Sequence, residues 1–158
     1  MSRTQYFAEK RAAAMAYLAL TDRDDLLVKA ASPTDGPFSV IVHLTGRRRK
    51  GLRQFAVTET GMPEVSVPAD ADRHAAATVR ALAKAGPYPI PAVVLLFTLK
   101  GNSGYFTWVS EPPGDGGELV LHKRPAFRPL DADSLDEIVR AVDGWYDARY
   151  ATVTASRA

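Results

Sequence analysis

The sequence predicts a single α/β domain in which a central mixed β-sheet is flanked by helices. Three observations carry that expectation. Phe38 to Leu44 (FSVIVHL) and Val93 to Leu99 (VVLLFTL) are almost unbroken in apolar and β-branched residues, which is how strands covered on both faces read. Three other segments have helical spacing or helix punctuation. The order is helix, three strands, helix, two or three strands, helix, and strands this apolar need helices over both faces.

Each element follows from local chemistry. Ser2 and Gln5 have capping-box spacing, and the Ala-rich run to about Leu20 has no internal Gly or Pro, so a first helix is expected there. LLVKAAS from Leu26 reads as a short strand that stops at Ser32-Pro33. The Phe38–Leu44 strand leads into RRRK, bracketed by Gly46 and Gly51, and Arg53 to Thr58 returns as its hairpin partner. After GMPEVSVPAD, a helix is expected from near Asp70 to the stop signal Gly86-Pro87. Its apolar positions are mostly Ala, with Val79 and Leu82 on one face. The Val93–Leu99 strand, a Gly-Asn-Ser-Gly turn and Tyr105–Val109 form a second hairpin, and Glu118–Lys123 a last short strand. Asp131 to Ser134 caps a final helix in which Leu135, Ile138, Val139, Val142, Trp145, Tyr146 and Arg149 or Tyr150 recur at helical spacing. Residues 1–150 are expected to form the domain and 151–158 a frayed tail.

Composition narrows the function classes. A chain of 158 residues with 46% hydrophobic and 24% charged residues can bury a real core. There is no cysteine, so disulfides, thiolate metal sites and a Cys nucleophile are excluded. That absence, a first segment without a signal-peptide apolar core and no bilayer-length apolar run together point to a cytoplasmic protein without a membrane role. Net charge is +2, but through residue 60 ten Lys and Arg stand against six Asp and Glu. Such an excess permits contact with a polyanion without demanding it. The three histidines, His43, His74 and His122, show no metal-ligand spacing, and there is no HExxH, GxSxG, Walker or GxGxxG motif.

The segments PFSVIVHL and FAVTETG, set in the order helix, strand, strand, strand, helix, strand, resemble the restriction-endonuclease-like superfamily, the PD-(D/E)xK nucleases. The likeness is closest to a group of uncharacterised bacterial domains within it. There the second strand opens with an apolar residue, an Asp and an apolar run, and the third strand ends with Glu, one apolar residue and Lys. In this chain Ser39 stands at the Asp position, Thr58 at the Glu position and Thr60 at the Lys position. Downstream, PYPIPAVVLLFTLKGNSGYFTWVSEP looks like the group's later hairpin, so the likeness covers most of the chain. The resemblance implies an α-β-β-β-α-β core, here with an added C-terminal hairpin or strand and a helix.

What the resemblance implies about activity turns on those three positions. Such nucleases hold Mg²⁺ or Mn²⁺ between the two carboxylates and the scissile phosphate, where the metal polarises the phosphate and lowers the pKa of the attacking water. The Lys stabilises charge developing in the transition state. Ser39, Thr58 and Thr60 are neutral and make poor sole ligands for a hard cation, so the expectation is a catalytically inactive, nuclease-like domain without cofactor or metal. Its role would be that of an accessory binding or assembly protein, with a protein partner or a second copy of itself. The alternative is a divergent Mg- or Mn-dependent nuclease using Glu9, Asp35 and Glu59. In that case Glu59 would have to rotate from the face opposite Thr58 and Thr60, a one-residue slip that the apolar set of the strand resists. A structural or small-ligand module is the third class.

Two surface features are candidates for binding. Arg47, Arg48, Arg49 and Lys50 at a hairpin tip can reach a phosphate backbone, although the flanks lack interleaved aromatic residues; the bland alternative is a solvated turn. Tyr105, Phe106, Trp108, Trp145, Tyr146 and Tyr150 supply the C-terminal half with aromatics, most of them expected in the core. Trp108, Trp145, Tyr146 and Tyr150 are the candidate partner anchors where they remain exposed.

Overall fold

The computed structural model describes residues 2–157. Helix α1 (Arg3–Thr21) begins at Ser2, whose hydroxyl accepts the Gln5 N–H at 3.1 Å. Its inward face is built from Ala8, Ala12, Ala16 and Leu20, and three Ala in that row let the helix lie close to the sheet. Strand β1 (Leu26–Ala30) follows. A short 3₁₀ turn, Pro33–Asp35, then leads to β2 (Val40–Leu44), and β3 (Gln54–Met62) returns antiparallel to it, with Val42 opposite Phe55 and Val40 opposite Val57.

Helix α2 (Pro68–Ala85) carries the chain across to β4 (Ala92–Thr98), which runs parallel to β3. The Asp70 carboxylate accepts the backbone N–H groups of Ser66 and Val67 at 2.9 and 3.1 Å, so the first turn of α2 is closed by an acid where the helix dipole favours one. Strand β5 (Gly104–Glu111) pairs antiparallel with β4. Two short strands then share the outer edge of β5: β6 (Val120–Leu121) beside Ser110 and Glu111, and β7 (Arg128–Leu130) beside Gly104 to Phe106. Helix α3 (Ala132–Arg157) ends the described chain.

The sheet order is β1-β2-β3-β4-β5-β6, with β7 also on β5. The mixed sheet flanked by helices is therefore present, with α1 and α3 over one face and α2 over the other. On the first face Phe55, Val57, Val93, Leu95 and Phe106 pack against Leu20, Ile138, Val142 and Trp145. On the second, Ala56, Val94 and Leu96 pack against Ala75, Val79 and Leu82. Every residue of β4 is buried, and each large side chain removed from water there contributes about 1.5–3 kcal/mol.

Several boundaries differ from the expectation. Strand β3 runs on to Met62 because β4 pairs with it through that residue, long after β2 has ended. The strand expected over 118–123 shrinks to Val120–Leu121, and β7 is an added element. Helix α3 continues through Arg157, where a frayed tail is expected from 151. No helix among the described residues is long and apolar enough to cross a membrane.

Candidate functional site

Of the three motif positions, Thr58 and Thr60 lie on β3, whereas Ser39, expected inside a strand running from Phe38, stands just ahead of β2. Ser39 is exposed just before β2, and its N–H donates to Val57 O at 3.0 Å. The Thr58 hydroxyl donates to Pro37 O at 3.3 Å. The Thr60 hydroxyl is buried and donates to the Glu9 carboxylate at 3.0 Å. That same Glu9 oxygen accepts the Gln5 amide at 2.7 Å, and the Gln5 amide also donates to Gly61 O at 2.7 Å. The first turns of α1 thus close over the part of β3 that runs beyond β2.

Gly61 makes that closure possible. A Cβ at this position would lie 2.0 Å from Ala8 O, so any larger residue would push α1 off the strand. The structure brings Glu9 to Thr60, but it does not gather Glu9, Asp35 and Glu59. Among the described residues no three His, Asp or Glu side chains converge as a metal-ligating group. The Asp35 carboxylate lies in the 3₁₀ turn, where it accepts the Ser32 N–H at 2.7 Å. Glu59 is paired with Leu95 on the side of β3 that carries Phe55 and Val57, whereas Thr58 and Thr60 stand beside Val94 and Leu96. The register keeps Phe55 and Val57 in the core, so the one-residue slip has not occurred.

The basic turn is divided in its roles. Arg47, Arg48 and Lys50 are exposed, while Arg49 is turned inward. Arg49 donates to Thr45 O at 2.6 Å, to the Asp143 carboxylate at 2.8 Å and to Asp25 at 3.2 Å. Arg53, only 6% exposed, bonds Asp143 at 2.9 Å and Asp147 at 2.6 Å and also donates to Lys50 O and Asp143 O. Arg23 continues the chain of charges to Asp25 at 2.9 Å and to Asp136. The Arg23 guanidinium, with Arg49 beyond it, holds the Asp25 carboxyl below the usual carboxylate range. Alternating signs in this network fasten the β2–β3 turn to α3. The cleft beside it, about 490 Å³, is bordered by Arg47 and Arg48. Of the four candidate cations, Arg49 is not free to meet a phosphate, because the Asp25 and Asp143 carboxylates already neutralise it.

The aromatic candidates are also sorted by burial. Trp145 and Tyr146 are core residues: the indole N–H donates to Gly117 O and the phenol to Gln54 O, both at 2.9 Å. Burial pushes the Tyr146 phenol above its ordinary value. Neither can anchor a partner. Tyr150 is at the surface, where its hydroxyl donates to Leu52 O and its ring lies under Arg53 and against Gly51, whose φ of +77° no side chain adopts easily. Trp108 is half-buried and lines a cleft of about 410 Å³ at the edge of β5, between the segments that pair with β6 and β7. There His122 and Glu111 meet at 2.6 Å, and Arg124 also lines the cleft. His43 is half-buried on β2, where burial and the nearby Lys29 lower its pKa below the ordinary value.

Sequence reasoning missed Gln5, the acids Asp25, Asp143 and Asp147, and the Glu111–His122 pair. Only Asp143 and Asp147 left a trace, as acids four apart on a helix that carries the aromatic stripe. Set beside protein-family models, curated proteins and solved structures, the chain matches none of them.

Proposed function

We propose that this protein is a catalytically inactive, nuclease-like domain that serves as a binding or assembly partner. One observation carries the reading. Where the resemblance expects two carboxylates and a Lys around a metal, the chain has hydroxyls already engaged internally: Thr58 with Pro37 O, and Thr60 with Glu9, whose same oxygen also holds Gln5. A single carboxylate bonded in this way supplies neither the charge nor the open coordination positions that Mg²⁺ or Mn²⁺ needs at a scissile phosphate. The order of elements α1, β1, β2, β3, α2, β4 agrees with the resemblance and supports it. Contact with nucleic acid, where it occurs, runs through Arg47, Arg48 and Lys50 and is strongly salt dependent.

The test is incubation with duplex and single-stranded DNA in Mn²⁺, beside Glu9→Ala and Glu59→Ala. The expected result is no degradation by any of the three folded proteins. Degradation lost in either variant would overturn the reading in favour of a divergent nuclease. A second reading, a small-ligand module, rests on the Trp108 cleft, where an aromatic face, a His–Glu pair and Arg124 converge. Quenching of Trp108 fluorescence by a bound ligand, absent in His122→Ala, would favour it.

A further inference from the structure

Among the described residues, one buried polar side chain has nothing to bond. Arg53, Thr60, Thr98 and Thr107 are buried and each is hydrogen-bonded. Ser110, on β5 opposite Leu121, is 1% exposed, and none of the hydrogen bonds among the described residues reaches its hydroxyl. Every fully enclosed side-chain oxygen or nitrogen has a partner, so the Ser110 hydroxyl opens onto free space. What it borders is a cavity of about 300 Å³ lined by residues 87–89, the segment around β6 and α3. A buried hydroxyl costs free energy unless something supplies it with a hydrogen bond. No lining residue is shared with the Trp108 cleft.

The walls of this cavity are apolar and already held in place. Pro87, Pro89, Leu119, Leu121 and the buried Trp145 supply them. The Trp145 indole N–H and the Arg149 guanidinium donate to Gly117 O and Gly116 O at 2.9 and 3.2 Å, tying the loop before Glu118 to α3. Gly116 lies so near the helix that a Cβ there would stand 2.7 Å from Ala148 Cβ. Tyr88, also in the lining, donates to Leu82 O and meets Phe38 edge to face. A site fixed by such contacts has little ordering left to do when a ligand enters. Two charges complete it. The Arg149 guanidinium lies over Trp145, 4.6 Å from the ring centroid, and Glu118 is exposed. Among the described residues neither forms an ion pair, with the other or with any other group. Glu118 repels a simple carboxylate and Arg149 a simple amine, so the complementary ligand carries both charges. A residue inside a peptide chain has neither, whereas a free amino acid has both on one carbon.

We propose that this cavity binds a free aromatic α-amino acid bearing a ring hydroxyl, its carboxylate on Arg149, its ammonium on Glu118 and its hydroxyl hydrogen-bonded to Ser110. The guanidinium edge left open by Gly116 suits a carboxylate, and its stacking on Trp145 orients it in advance. The proline, leucine and tryptophan walls take the ring, while the Ser110 hydroxyl selects a ligand with one neutral polar group beyond its apolar part. The site is separate from the motif region on β3 and stands whether or not that region is inactive.

Equilibrium dialysis against labelled L-tyrosine tests this. Wild type is expected to bind it with a dissociation constant on the order of 100 µM. L-phenylalanine, lacking the ring hydroxyl, is expected to bind about two- to tenfold more weakly, the range of one hydrogen bond. Ser110→Ala should abolish that preference, so that the two amino acids bind the variant equally. Because the hydroxyl bonds nothing within the protein, the same variant should melt like wild type by circular dichroism. Tyramine, without the carboxylate, and N-acetyl-L-tyrosinamide, without either charge, should bind at least about tenfold more weakly than L-tyrosine. Glu118→Gln, at an exposed position, should weaken L-tyrosine by about threefold. No binding of L-tyrosine at about 1 mM overturns the proposal. So does equal binding of N-acetyl-L-tyrosinamide, a preference for tyrosine that survives Ser110→Ala, or a Ser110→Ala protein that melts well below wild type.

Discussion

Removing the Asp143 carboxylate tests the charge network that shapes the basic turn. Asp143→Ala deletes the 2.8 Å bond to Arg49 and the 2.9 Å bond to Arg53. Arg53 is 6% exposed and keeps its full charge, with one side now supported only by backbone carbonyls and by Asp147. Breaking a fully buried pair costs about 3–5 kcal/mol. Asp143 is a quarter exposed, which lets water return to the gap, so about 2–3 kcal/mol is expected here. For a domain of this size that is roughly 5–10 °C in Tm. Asp147 also touches Arg53 but is 67% exposed, so Asp147→Ala should cost no more than about 0.5 kcal/mol. Thermal melting by circular dichroism and urea unfolding followed through Trp145, buried two residues from Asp143, read both variants. Equal losses for the two, or less than about 0.5 kcal/mol for Asp143→Ala, would refute the claim that this network fastens the turn to α3.

Two further predictions follow from the same contacts. Gly61→Ala places a Cβ 2.0 Å from Ala8 O on a helix backbone that cannot yield locally, so a loss of at least about 3 kcal/mol or insoluble expression is expected; a soluble variant within about 1 kcal/mol of wild type by urea unfolding would show that α1 is not seated on β3. Asp25 has a folded pKa depressed first by Arg23, so its contribution is present above the unfolded carboxylate value of about 3.9 and is lost as pH falls through the lower folded value. Asp25→Asn should therefore be less stable than wild type at pH 7 and converge with it below about pH 4; a gap that stays constant across that range would rule the ion pairs out as its source.

Much of the fold was legible because its signals are local or periodic. The apolar runs of β2 and β4, the Gly46 and Gly51 punctuation and the Ser2 cap each act within a few residues, and the structure uses them as read. What escaped depends on distant partners. Strand β7 has only Arg-Pro-Leu, no strand signal by itself, and exists because β5 offers it an edge. Arg49 looked like its three basic neighbours until Asp25 and Asp143, far away in the chain, were brought beside it. Trp145 and Tyr146 share the stripe that buries α3, while Tyr150, one turn on, has already reached the surface. At the candidate site, the alternation of β3 was legible, with Thr58 and Thr60 on one side and Glu59 on the other. The part played by Gln5 was not, because an amide on a helix carries no sign of which strand it will close over.

The central claim is that the motif region is closed by Thr60, Gln5 and Glu9 and holds no catalytic cation. Electron paramagnetic resonance of free Mn²⁺, titrated with wild type and Glu9→Ala, measures this without requiring a substrate. The prediction is that neither protein removes free Mn²⁺ at submillimolar concentrations. Submillimolar binding by wild type that disappears in Glu9→Ala would contradict it and favour the divergent nuclease instead.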